Sequence, residues 1–186
     1  FQAVNLGKGD PFRVLVILSL ITAVSSAFLD NVTIVVLIAP VTLFVASSLR
    51  VSPVPFLIAE ILASNIGGMA TLVGDPPNIL IGSAANIDFL TFIANMGPIS
   101  VIILLVFILM SRFMFKKDLV IHDDTATPIS DLDASSLITD PKLLRKSLII
   151  MTGVILGFLF HGALHLEPAT IALIGAVFLM LWSKSD

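Results

Sequence analysis

Apolar residues in this chain run on without interruption where a half-buried surface would alternate them with polar ones. The runs occupy about residues 14–29, 32–49, 56–66, 76–86, 99–115, 147–164 and 169–182. A helix crossing a bilayer needs about 20 such residues, with about 17 tolerated. The first two runs, Val14 to Leu29 and Val32 to Leu49, are parted only by Asp30 and Asn31, which predicts the two arms of a helical hairpin. The next two, Phe56 to Ile66 and Pro76 to Asn86, are separated by GGMATLVGD, and each is about half a span. Glycine admits backbone conformations closed to other residues, and proline cannot continue a helix. The prediction is one helix broken at mid-membrane, with non-helical backbone within residues 66–78. Residues 87–96, IDFLTFIANM, carry a helical period ahead of Gly97-Pro98 and predict a separate interfacial helix.

Composition places these elements in lipid. The chain is 57% hydrophobic and 12% charged, with mean hydropathy +1.08, against about 45–50% and about 25% in soluble domains. Ten basic residues against thirteen acidic ones leave a net charge of -3, which excludes a nucleic-acid partner because nothing would neutralise a phosphate backbone. Zero cysteines remove disulfides, thiolate metal sites and cysteine nucleophiles together. The chain opens on Phe1 with no leader-like segment, and we read it as an internal stretch of a longer protein.

Cytoplasmic loops are enriched in Lys and Arg. If the hairpin returns to its starting side, Lys8, Arg13 and Arg50 share a face; later crossings bring Arg112, Lys116, Lys117, Lys142, Arg145, Lys146 and Lys184 to it as well. The expectation is a multi-pass protein of the cytoplasmic membrane with every basic residue inside. It divides into residues 1–117, which carry hairpin, break and following span, an acidic cytoplasmic loop over 118–146, and a closing two-helix hairpin over 147–186.

Polar groups at bilayer depth need a partner or a wet cavity. Asp30 sits between the hairpin arms beside Asn31 and Thr33, where two helix ends leave backbone groups unpaired. That suits an ion or substrate site, and it equally suits a turn in which Asp or Asn caps the second arm. In ASNIGGMATLVGDPPN, residues 63–78, the oxygens of Ser64, Asn65, Thr71, Asp75 and Asn78 join unwound carbonyls around Gly67, Gly68 and Gly74. Such a set fits a small hard cation, or an oxyanion cradled by amides. The alternative is that the glycines serve only close helix packing. Glu60 points either to this cavity or to the headgroups. His161, His165 and Glu167 have zinc-like spacing but fall at a helix end, where polar groups meet water. His122 lies in the loop and receives no role.

The segment SAFLDNVTIVVLIAPVT followed about thirty residues later by ASNIGGMATLVGDPPNILIGSAA resembles the ion-transporter superfamily that holds the ArsB-type permeases, the NhaD-type antiporters and the P protein. The resemblance covers about residues 8–117. It implies an all-α integral membrane fold in which a re-entrant hairpin meets a broken helix. This chain would be one half of an inverted-repeat secondary transporter that is a homodimer at full length. Related dicarboxylate carriers place Ser-Asn-Thr at the hairpin tip, where this chain has Asp30-Asn31-Val32. Asp75 likewise replaces a position often hydroxylated in those carriers. Two carboxylates disfavour a di- or tricarboxylate substrate and favour a bound cation or proton.

The resemblance thus implies an ion-coupled transporter of a small inorganic ion, arsenite or another anion, linked to sodium or protons, with no organic cofactor. An ATPase subunit is the partner it suggests. The implied site is Asp30, Asn31, Thr33, Ser64, Asn65, Thr71, Gly74, Asp75 and Asn78, with sodium at Asp30, Asn31, Gly74 and Asn78. A sodium/proton antiporter and an uncoupled ion conductance are the competing readings. A membrane-embedded enzyme stands outside them.

Overall fold

The computed structural model describes residues 10–119, 140–164 and 168–183, and every regular element among them is an α-helix. In chain order these are α1 (Pro11–Ser26), α2 (Asn31–Ser48), α3 (Val54–Gly68), α4 (Pro76–Ala85), α5 (Phe89–Met114), α6 (Pro141–Leu164) and α7 (Pro168–Ser183). They fall into two compact units, one holding α1 to α4 with most of α5, the other α6 and α7. Among the described residues three helices are long and apolar enough to cross a membrane: α2, α5, and α6 over Pro141–Phe160.

Local signals set the boundaries. Asp10 accepts from Phe12 N at 2.9 Å and Pro11 supplies a preset first helical residue, so α1 begins there. Asp30 caps α2, its Oδ2 accepting from Thr33 N at 3.0 Å. Arg50, at φ 57°, turns the chain out of α2 toward α3, and Asn86, at φ 52°, closes α4 in the left-handed conformation that ends many helices. Pro40 is carried inside α2 without a break.

Two sequence expectations are corrected. Residues 87–96 do not form a separate interfacial helix; α5 runs unbroken from Phe89 to Met114 through Gly97 and Pro98. One proline removes one backbone bond, and long apolar helices absorb that loss. Likewise α6 opens at Pro141, inside the segment assigned to the 118–146 loop. Asp140 Oδ1 accepts from Lys142 N and Leu143 N, both at 2.9 Å, so the cap and the proline outweigh the local charge of Lys142, Arg145 and Lys146.

The core of the first unit joins Val14, Leu15 and Leu18 of α1 to Val45 and Ala46 of α2 and to Phe56, Ala59 and Ala63 of α3. Phe107 of α5 and Phe115 just beyond it close the cluster. In the second unit α6 and α7 pack through small residues, with Gly157 against Ile171 and Gly175 against Val154. Lys146 Nζ donates to Trp182 O at 2.9 Å. Outward faces are as apolar as the core: Leu80 is 72% and Phe113 79% exposed. A surface of that extent is at home in lipid.

Candidate functional site

The loop Ala27–Asp30 joining α1 to α2 meets the interruption between α3 and α4. The interruption is residues 69–75, seven residues of irregular backbone inside the broader 66–78 window expected from sequence. Glycine makes this meeting possible. A Cβ on Gly74 would stand 2.8 Å from Ser26 O, and one on Gly67 would strike the backbone of Ala23. Gly68 and Gly74 face each other just as closely, the oxygen of Gly74 lying 2.9 Å from where a Gly68 Cβ would be. The two lips of the break and the hairpin tip therefore touch backbone to backbone.

Hydrogen bonds tie these pieces together. Asn31 Nδ2, on the first residue of α2, donates to Asn65 Oδ1 on α3 at 2.9 Å. Thr71, fully buried in the break, donates its hydroxyl to Ala27 O in the tip and accepts from Gly74 N at 3.1 Å. Asn78, on the first turn of α4, donates across the gap to Gly68 O at 3.1 Å and Thr71 O at 2.9 Å. Five expected residues take part in these bonds, in two groups: Asn31 with Asn65 between α2 and α3, and Thr71 with Gly74 and Asn78 across the break.

The remaining four stand differently. Asp30 is exposed and engaged with Thr33, through both the backbone amide and the hydroxyl. This is the capping arrangement, and it leaves the pair at the hairpin tip. Asp75 is half-buried and occupies the cap position of α4 with no side-chain cap bond. Ser64 turns back to its own helix, donating to Ile61 O at 2.9 Å, so no bond joins it to the break.

Sequence reasoning missed three contributors. Ser26 offers a buried hydroxyl with no partner, Ala27 a carbonyl, and Ser100 of α5 donates to Ile66 O at the lip of the break. Backbone acceptors carry no residue signature, which explains the second. The others were hidden among apolar neighbours. Glu60 turns neither to this cavity nor to a surface: it is 1% exposed and takes a hydrogen bond from Thr42 of α2.

Beside the tip lies an apolar hollow of about 280 Å³, walled by Ala23, Ala27, Ile66, Gly97, Ser100 and Leu104. Among the described residues no three of His, Cys, Asp and Glu converge on a point. The donors at the break are amide, hydroxyl and carbonyl oxygens, the kind that hold hard cations. The side chain of His161, and His122, His165 and Glu167 entirely, lie outside the described residues.

A family model described as citrate transporter matches residues 2–186. An uncharacterized transporter of Mycobacterium tuberculosis is 41% identical over 181 residues, covering 97% of this chain and 42% of that protein. Magnetosome protein MamN of Magnetospirillum gryphiswaldense is 33% identical over 176 residues, 93% of this chain and 40% of its own length. The human P protein is 40% identical over 119 residues, 61% of this chain and 14% of its own length. The chain thus spans about two fifths of the mycobacterial relative it matches.

Proposed function

Because the chain belongs to the citrate transporter family, we propose that it is one half of an ion-coupled secondary transporter, with the junction of hairpin tip and helix break as its ion site. One observation carries this reading: the tip meets the break, with Gly74 against the backbone of Ser26 and Thr71 bonded to Ala27 O, while Asn31 of α2 reaches Asn65 of α3 beside it. Irregular backbone within membrane helices is tolerated where protein or a wet cavity surrounds it, and discontinuous helices of this kind are where transporters bind ions and substrate.

In this reading α1 and α2 are a re-entrant hairpin. A coupling cation, sodium or a proton, is held at Asp30, Asn31, Gly74 and Asn78. Thr33, Ser64, Asn65, Thr71 and Asp75 complete the site. Asp30 and Asp75 share one cation, since two carboxylates at that depth would otherwise be costly to keep charged. The transported species is a small anion, arsenite among the candidates, and the cation offsets its charge against the two aspartates. The family description favours a second reading, in which citrate is carried; the same charge argument then requires a cation to travel with it. A second, inverted half, a homodimer and an ATPase partner belong to the full-length protein.

The test is flux. The full-length protein in proteoliposomes is challenged with labelled sodium, arsenite and citrate under imposed sodium and proton gradients. Uptake of either anion that follows a cation gradient supports the proposal. Conduction insensitive to both gradients defeats coupling, and absence of flux for every probe defeats the reading.

A further inference from the structure

Helices α1 and α3 run in the same direction and pack through a face that carries hydroxyls where apolar groups would suffice. Gly67 of α3 lies against Ala23 of α1, and just past the ends of the two helices Thr71 meets Ala27 at the same offset of forty-four positions (67 − 23 and 71 − 27). Ser19, Thr22 and Ser26 recur at intervals of three and four and share one face of α1. All three are fully buried, and none of their hydroxyl oxygens has a hydrogen-bond partner. A buried polar group left in that state costs about 1–3 kcal/mol, so three in a row need a reason beyond packing.

Glu60 supplies one. Carried back along parallel helices, the same offset would set it level with Val16, about 4.5 Å along the axis from Ser19. Its Oε1 takes the hydroxyl hydrogen of Thr42, itself fully buried on α2, while Oε2 is buried and unpartnered. The same three helices bury Leu15 and Leu18 of α1, Val45 and Ala46 of α2, and Ala59 and Ala63 of α3 in the apolar core of this unit. Among the described residues no counter-charge faces it. On α1 the only charged residue is Arg13, paired with Asp10 at 3.5 Å; α2 has none between Asp30 and Arg50; α3 has no other; α5 has only Arg112, over the ring of Phe12. A bare carboxylate in such surroundings is costly unless neutralised. Too few oxygens converge there to complete the six or so ligands of a hard cation, whereas a proton needs one acceptor.

We propose that Glu60, set by Thr42, is a proton-binding residue of the transport cycle. The hydroxyls of Ser19, Thr22 and Ser26 form its route to the hairpin tip. The inference rests on the ion-coupled reading above. Hydronium reaching the tip passes its proton to Oε2 through this file, with water bridging successive hydroxyls; an O–H bond forms, water is left behind, and release reverses the step.

Infrared titration of the full-length protein reads this directly, alongside proton flux reported by an entrapped pH-sensitive dye in proteoliposomes. Glu60→Gln is expected to remove a protonated-carboxyl band that Asp30→Asn retains, and to cut proton flux at least tenfold in protein that elutes as a single species. An unchanged band, or proton flux within twofold of wild type, overturns the proposal. A carboxyl band that emerges only when sodium is withdrawn also overturns it, because the occupant is then a metal cation. Should Glu60→Gln fail to fold, Thr42→Val decides: loss of its hydrogen bond must shift the same band, and an unshifted band refutes the assignment. If the wild type moves none of the probes, the transport reading fails, and the infrared band still reports whether Glu60 binds a proton.

Discussion

At the residue scale, Asp30 and Asn78 have structural tasks that substitutions can separate from the chemical ones we propose for them. Asp30 caps α2 through Thr33 and carries a charge beside Asn31. Asparagine caps a helix as well as aspartate does, whereas alanine gives up about 1 kcal/mol. Asp30→Asn is therefore expected to leave thermal stability nearly unchanged while weakening cation affinity, and Asp30→Ala to lower both. Calorimetry and sodium-dependent flux on the same preparations check this; full flux in Asp30→Asn would remove the charge from the mechanism. Asn78 offers a second separation. Its amide satisfies Gly68 O and Thr71 O together, and an ionised aspartate has no hydrogen to donate. Asn78→Asp and Asn78→Ala should each cost about 1–3 kcal/mol of stability, seen as lowered unfolding midpoints. A midpoint matching wild type in both variants would mean that the bridge contributes nothing.

At the level of elements, the contact between tip and break depends on missing side chains. A branched residue at Gly74 would press on Ser26 O and on Gly68 together, and neither is the flexible end of a side chain that could move aside. Gly74→Val is thus expected to abolish transport while membrane insertion stays intact, because valine does not lower the hydropathy and only the junction is lost. Gly153, with no atom near its Cβ position, is the control: Gly153→Ala should be silent in flux and leave stability unchanged or slightly raised. Much of this architecture was legible in the chain. Asp30-Asn31 between two apolar runs and GGMATLVGDPP between two half-runs each mark a helix end by residue types that permit no continuation. The 69–75 gap lies inside the 66–78 window those marks set, whereas the bond between Asn31 and Asn65 is seen only in the structure. Elsewhere the sequence misled. Gly97-Pro98 resembles a boundary, yet α5 passes through it, since the long apolar run on its far side keeps the helix going. Lys142 to Lys146 look like loop because charge suggests solvent, while the cap at Asp140 decides otherwise. The pairing of Glu60 with Thr42 left no local trace, for it joins positions 18 residues apart on separate helices.

For the whole molecule, orientation follows from lengths and charges taken together. Helix α3 has 15 residues and α4 has 10, which at 1.5 Å per residue is about 37 Å of helix. Placed end to end, with the break between, this exceeds a hydrocarbon core of about 30 Å, and the topology we propose has Arg50 before α3 and Asn86 after α4 on opposite surfaces. In the same topology helix α5, with 26 residues, crosses back and brings Arg112 and Lys117 to the side of Arg50. The excess of basic residues at that surface makes it the cytoplasmic one in the topology we propose. Because the sequence contains no cysteine, single cysteines can be introduced without background. Arg50→Cys and Lys117→Cys are expected to react with a membrane-impermeant thiol reagent only in inside-out vesicles, and Asn86→Cys and Glu167→Cys only in right-side-out ones. Labelling of positions 50 and 86 from the same face would mean that α3 and α4 fold back on each other as a second hairpin. Labelling of 117 and 167 from the same face would place α6 outside the bilayer. Either result would dismantle the one-sided placement of the basic residues, and with it the direction from which ions reach the junction of tip and break.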